Sequence, residues 1–164
     1  MRMNVQGDKT AADIVNSYTQ NELEKILKVY GEVDNSRKIA ELITKAREEK
    51  PIRTTDDLDN AIAAALPSFA EHKTLAKVYQ ALRIEVNQEM RSLEKFLSGA
   101  AASLKTDGRM AVITYHSLED RMVKYFFRSA PMKPLWNKPV LPSEEEIAQN
   151  TRARSAKLRV AVKI

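Results

Sequence analysis

Residues 110–121 read M-A-V-I-T-Y-H-S-L-E-D-R, and the fold turns on how they are read. Met110, Ala111, Val112, Ile113 and Tyr115 form a short apolar, β-rich run, entered through the turn signal Asp107-Gly108-Arg109. An apolar run of this length behind a glycine turn predicts a strand covered on both faces, as in a parallel sheet. The polar cluster His116, Ser117, Glu119, Asp120 and Arg121 follows at once, and then Met122, Val123, Tyr125, Phe126 and Phe127 at helical spacing. Ser117 stands three residues before Asp120, so the capped helix is expected to start there. The unit reads strand, polar turn, helix. In open α/β sheets, ligands bind in the crevice beyond the carboxyl end of such a strand.

His116, Ser117, Glu119 and Asp120 are therefore the candidate catalytic residues, as acid, base or positioning groups. A local role competes with that one. Ser117 can cap the helix while Glu119 and Asp120 favour its positive end. His116, at the exit of a buried strand, is either a hydrogen-bonded structural group or a site group.

The composition of the 164 residues, 43% hydrophobic and 30% charged, is that of a soluble globular protein. No apolar run approaches the length of a membrane span, and the start lacks the regions of a signal peptide. Cytoplasm is the expected location. The absence of cysteine excludes disulfides and thiolate-held metal, and two isolated histidines, His72 and His116, offer no zinc spacing, so no metal is expected. Residues 1–100 carry 15 basic against 16 acidic side chains, whereas residues 101–164 carry 12 against 6. The basic excess lies wholly in the last part, which favours a polyanionic partner there. The four glycines, at 7, 31, 99 and 108, never cluster. A dinucleotide- or nucleoside-binding turn needs clustered glycines for close backbone approach, so no glycine-rich cofactor loop is present.

From Thr10 to about Leu66 the signals are helical and repeatedly capped. Thr10 with Asp13, Thr19 with Glu22, and Thr54 with Asp57 have capping-box spacing, and Gly31 suits the residue just past a helix end. A small bundle of about four helices is expected. Arg47, Lys50 and Arg53 flank the break at Pro51, as a solvated charged turn or as phosphate contacts. Residues 75–97 read as one long helix with an apolar stripe from Leu75 to Leu97, ended by Gly99. After Arg128, four prolines between 131 and 142 exclude regular helix and interior strand. Leu135 and Trp136 in that loop are either packing anchors or a surface for a flipped base. Ser143 with Glu146 caps a short helix, and Arg152, Arg154, Lys157 and Arg159 lead into an alternating strand ending at Ile164.

The stretch T-Y-H-S-L-E-D-R-M-V-K-Y-F-F, residues 114–127, resembles the F-H-S-L-E-D-R-I-V-K-x-F-F block of the MraW family, bacterial methyltransferases that modify the exocyclic N4 of a cytidine in small-subunit ribosomal RNA. Four further blocks agree in order: Met1-Arg2-Met3; Thr10-Ala11-Ala12-Asp13 to Asn16; Gln80-Ala81-Leu82-Arg83-Ile84 to Asn87; and Pro142-Ser143-Glu144-Glu145-Glu146 running into Arg152-Ala153-Arg154-Ser155-Ala156-Lys157-Leu158-Arg159. The resemblance implies an α/β chain, the second half of a Rossmann-like class I methyltransferase sheet with an inserted all-helical domain, mostly helical by residue count. It divides the chain into a link from a cofactor-binding half (residues 1–8), the helical insertion (9–72) and the C-terminal part of the methyltransferase domain (73–164). It implies S-adenosylmethionine as methyl donor, held mostly by an N-terminal half that this chain lacks, so that the chain alone is expected to be inactive. The implied partner is 16S ribosomal RNA in the small ribosomal subunit, with a homodimer as a further candidate and no membrane. Gln80, Arg83 and Asn87 become candidate substrate-positioning residues, and Arg152, Arg154, Lys157 and Arg159 candidate RNA contacts. The competing class is a non-catalytic helical module that binds RNA or a protein through its basic tail.

Overall fold

The computed structural model describes residues 9–164; the link expected over residues 1–8, with Gly7 and the block Met1-Arg2-Met3, lies outside them. The chain splits into two compact units that divide between Glu89 and Met90.

The first unit is helical: α1 (Ala11–Ser17), α2 (Gln20–Gly31), α3 (Ser36–Glu49), α4 (Thr55–Ile62), a 3-10 turn (Ala63–Ala65) and α5 (Glu71–Asn87). Three of its starts are where the sequence puts them. Thr10, Thr19 and Thr54 each accept the amide of the third residue on, while Asp13, Glu22 and Asp57 bond back to the cap amide. Each reciprocal pair satisfies two of the amides that a helix end leaves without partners. The core gathers Ile14, Leu23, Leu27, Ile39, Ile43, Ile62, Val78 and Leu82 from all five helices together with their neighbours. α5 belongs to this unit in space, burying Val78, Ala81 and Leu82 in its core.

Three local expectations are corrected. Gly31 is the last residue of α2, and the left-handed residue beyond it is Glu32, at φ 49°. The glycine is needed for closeness instead: a Cβ there would sit 2.7 Å from the Lys77 carbonyl oxygen and 2.9 Å from Val33 Cγ2. The single long helix is two, because Gln88 turns left-handed at φ 48° and α6 (Glu89–Ser103) starts after it. Gly99 lies inside α6 rather than ending it, with open space where a side chain would stand.

The second unit holds β1 (Arg109–Thr114), α7 (Ser117–Phe127), β2 (Met132–Pro134), α8 (Glu144–Gln149), a 3-10 turn (Thr151–Ser155) and β3 (Lys157–Lys163). The sheet has the order β1-β3-β2, and β3 runs antiparallel to both neighbours. Val112 is level with Arg159 and Thr114 with Lys157. The strand read as lying in a parallel sheet thus pairs antiparallel within this chain. Its burial alternates, with Met110, Val112 and Thr114 covered while Ala111 and Ile113 face out. The covered side packs with Leu97, Ala101, Val123, Phe127, Met132 and Ala161. Pro134 sits on an edge strand, where its missing N–H leaves no gap in the ladder.

Candidate functional site: the turn from β1 to α7

The polar turn follows the end of β1 directly. The residue that caps α7 is His116, not Ser117, which is already the first helical residue. His116 Nδ1 accepts the Glu119 amide at 3.4 Å. The Glu119 carboxylate reaches back to the amides of Tyr115, at 2.9 Å, and His116, at 3.3 Å. This is a capping box in which an imidazole replaces the usual hydroxyl. The sequence pattern misplaced the cap by one residue because histidine is not among the common capping types. With Nδ1 accepting, the proton of the neutral ring lies on Nε2. Nε2 is buried, makes no hydrogen bond among the described residues, and lies 3.4 Å from Glu119 Oε1.

Asp120 turns the other way, into the core side of the sheet. It is 9% exposed and is gripped by Arg159, Nε to Oδ1 at 2.7 Å and Nη2 to Oδ2 at 3.0 Å, with Lys157 Nζ 3.7 Å from Oδ2. The register explains the meeting, since Lys157 and Arg159 share the β3 face under α7 with Val112 and Thr114 of β1. The Arg159 guanidinium holds the Asp120 carboxyl below its usual range, more than burial raises it.

The four basic residues expected to act together are split. Lys157 and Arg159 neutralise Asp120, whereas Arg152 and Arg154 stand exposed on the 3-10 turn Thr151–Ser155 rather than on a strand. The turn starts at Asn150, whose side chain accepts the Arg152 amide at 3.2 Å. The three positioning candidates of α5 also have local work. Gln80 donates to the Tyr30 carbonyl at 2.9 Å, Arg83 forms a two-point pair with Glu89 at 2.8 and 3.1 Å, and Asn87 donates to the Arg83 carbonyl at 2.8 Å. Around Pro51, Arg47 donates to the Val15 carbonyl and Lys50 pairs with Asp57, while Arg53 stays exposed. The structure thus joins His116 to Glu119, and Asp120 to Lys157 and Arg159. The last meeting spans 39 positions of sequence, and no local signal announced it.

Elsewhere a cleft of about 250 Å³ lies in the helical unit, floored by Val15, Ile52, Leu58 and Leu82, with Arg53 and Tyr79 at its rim. Among the described residues no group of three His, Cys, Asp or Glu side chains could hold a metal ion, and no helix is long and apolar enough to cross a membrane.

A helical unit together with a unit built on a strand–turn–helix and a three-stranded sheet places the chain among mixed helix-and-sheet proteins. More narrowly, the chain belongs to the MraW methylase family, whose model matches residues 1–164. It is 49% identical to a protein of Elusimicrobium minutum named ribosomal RNA small subunit methyltransferase H, over all of this chain and 57% of that protein. Proteins of the same name from Bacteroides thetaiotaomicron and Carboxydothermus hydrogenoformans are each 47% identical, over 99% and 100% of this chain and 59% and 60% of their own length. The chain spans just under three fifths of these curated relatives.

Proposed function

We propose that this chain is part of an enzyme that transfers a methyl group from S-adenosylmethionine to the exocyclic N4 of a cytidine in 16S ribosomal RNA of the small subunit. The observation that carries the reading is the family match along the whole chain, joined to the relatives' shared name. The Rossmann-like, class I sheet belongs to the same proposal. It is supported by the β1–turn–α7 unit and by the outer face of β1, where Ile113 is exposed and no strand occupies the free edge among the described residues. So does the role of residues 9–72 as an insertion and residues 73–164 as the C-terminal part of the catalytic domain.

The described residues do not fit the cofactor. Gly31 is packed against the Lys77 carbonyl, Gly99 lies in a helix, and Gly108 sits 2.7 Å by its would-be Cβ from the Lys105 carbonyl, so none opens a cradle for a nucleoside. The cofactor's cradle is assigned to the length that the relatives carry outside the matched region. What this chain supplies is the turn. The capping box fixes the imidazole ring, leaving the buried Nε2–H to donate to a base and the Glu119 carboxylate beside it to take a proton. Ser117 sits at the same helix start. Gln80, Arg83 and Asn87 steady the end of α5, and exposed Arg152 and Arg154 meet phosphates. The cytoplasm is the expected place for such a reaction. A homodimer would show as concentration-dependent sedimentation.

The test joins this chain to the relatives' additional length and incubates it with undermethylated small subunits and S-adenosylmethionine. Nucleoside mass spectrometry is expected to find N4-methylcytidine. Methylation at another base position, or none, overturns the assignment. The lack of a cofactor cradle favours a second reading for the chain by itself, a non-catalytic module that binds RNA or a protein. It would bind without S-adenosylmethionine, and calorimetry of the isolated chain is expected to show no cofactor binding.

A further inference from the structure

The outward side of α7 is used by nothing described so far. Its inner side carries Leu118, Asp120, Val123 and Phe127, all buried. Its outer side carries Tyr125, 60% exposed, with Arg128 beside it and Lys124 Nζ 5.9 Å from the centre of the Tyr125 ring. Trp136, in the loop after β2, is 55% exposed, so it does not serve as a buried packing anchor. It lines a shallow depression with Lys124, Arg128, Asn137 and Arg159. Arg159 is committed to Asp120, but the Arg128 guanidinium has no ion pair or hydrogen bond among the described residues. The stretch 121–138 contains five Lys and Arg and no Asp or Glu. The nearby carboxylate, Asp120, is already neutralised from the sheet side.

We infer that Tyr125 and Trp136, with Lys124 and Arg128 between them, form a surface that binds a single-stranded RNA segment by stacking bases on the rings and placing phosphates on the cations. This rests on the RNA substrate proposed above and gives it a second contact surface, apart from Arg152 and Arg154. The chemistry selects the partner class. Exposed aromatic rings among cations are what a strand with both π-faces and phosphates can use at once, whereas a duplex hides its base faces. Cations alone would suit any polyanion. The exposed rings favour RNA over an acidic protein.

Trp136 is the only tryptophan in the chain, so its emission reports on this surface alone. The experiment titrates the 164-residue chain with an end-labelled oligocytidylate of about eight nucleotides, within the span of such binding surfaces. Anisotropy follows binding, and tryptophan emission and acrylamide quenching follow Trp136. Trp136 emission is expected to fall in step with binding, and the ring to become shielded from acrylamide, a result that needs no variant. Trp136→Ala should weaken binding about ten-fold. Lys124→Ala with Arg128→Ala should flatten the log–log salt dependence by about 1.4, at roughly 0.7 per single-strand phosphate. If the oligonucleotide binds while Trp136 emission and both variants stay unchanged, the surface is overturned and the RNA reading stands on Arg152 and Arg154. No binding even at low salt overturns both. Equal quenching by polyglutamate assigns the surface to an acidic protein and overturns the proposal. Confirmed stacking with no methyl transfer in the full assembly would sink the enzyme reading alone.

Discussion

The two units spend their polar side chains differently. In the helical unit many of them hold the backbone of another segment. Asn16 makes both bonds to the Ile52 peptide, accepting its amide at 3.0 Å and donating to its carbonyl at 2.7 Å, and Arg47, Lys77 and Gln80 each donate to a carbonyl at the end of another helix. The segments after α2 and α3 are tied to neighbouring helices in this way. In the sheet unit some do the same, as Lys163 does for the Leu104 carbonyl, but Asp120 is paired with Arg159 and His116 Nε2 makes no hydrogen bond among the described residues. Tyr115, Tyr125 and Trp136 there face outward. A unit whose polar groups are consumed by its own backbone is a scaffold. A unit that leaves some of them oriented and unspent is where the proposed function is to be tested.

The largest expected effect is at the charge pair that unites α7 with β3. Asp120→Ala leaves Arg159, itself only 10% exposed, without its partner, and should cost about 3–5 kcal/mol, read by urea unfolding of the sheet unit. The pH dependence has a definite sign. The folded carboxyl titrates below its unfolded value of about 3.9, so its stabilisation is present above that pH and is lost as pH falls through the folded value. Wild type and Asp120→Asn should therefore converge in strongly acidic solution. A gap that persists there would place the effect in shape rather than charge.

In the scaffold, Asn16→Ala removes both bonds to the Ile52 peptide and leaves a partly buried amide and carbonyl unsatisfied. A loss of about 1–3 kcal/mol is expected in thermal melts, with faster hydrogen exchange at the Ile52 amide. Unchanged exchange would mean that polar side chains are less essential to this unit than the comparison holds.

Gly31→Ala sharpens the same contrast. Alanine favours a helix by about 1 kcal/mol over glycine, but its methyl would strike the Lys77 carbonyl, so a net loss of roughly 1–2 kcal/mol is expected. Gly99→Ala, in open space within α6, should instead stabilise by up to about 1 kcal/mol. Equal signs for the two would contradict the packing account.

The smallest effect is expected at the turn itself. His116→Ala deletes one helix cap and should cost about 1 kcal/mol in a denaturant melt. In an active full-length assembly its effect on methyl transfer should be far larger than that. Activity falling only in proportion to the folded fraction would reduce His116 to a cap and make the sheet unit a scaffold as well.

What the sequence determined by itself is everything that neighbours decide. Thr10, Thr19, Thr54 and Ser143 mark four helix starts because a cap and its partner lie three residues apart, within reach whatever the rest of the chain does. The strand–turn–helix at residues 109–127 and the family likeness were legible for the same reason, since both are carried by contiguous residues. The pattern around His116 misled by one position only because an imidazole nitrogen did a hydroxyl's work. The tertiary structure alone decided that β1 pairs antiparallel with β3, that Lys157 and Arg159 turn inward to Asp120 while Arg152 and Arg154 stay out, and that α5 stops at Gln88. These choices rest on contacts between residues distant in sequence, or on a break that an unbroken apolar stripe cannot show. A strand's side-chain alternation is the same in a parallel and an antiparallel ladder, so only the partner strand, about 45 residues further along, could say which it was.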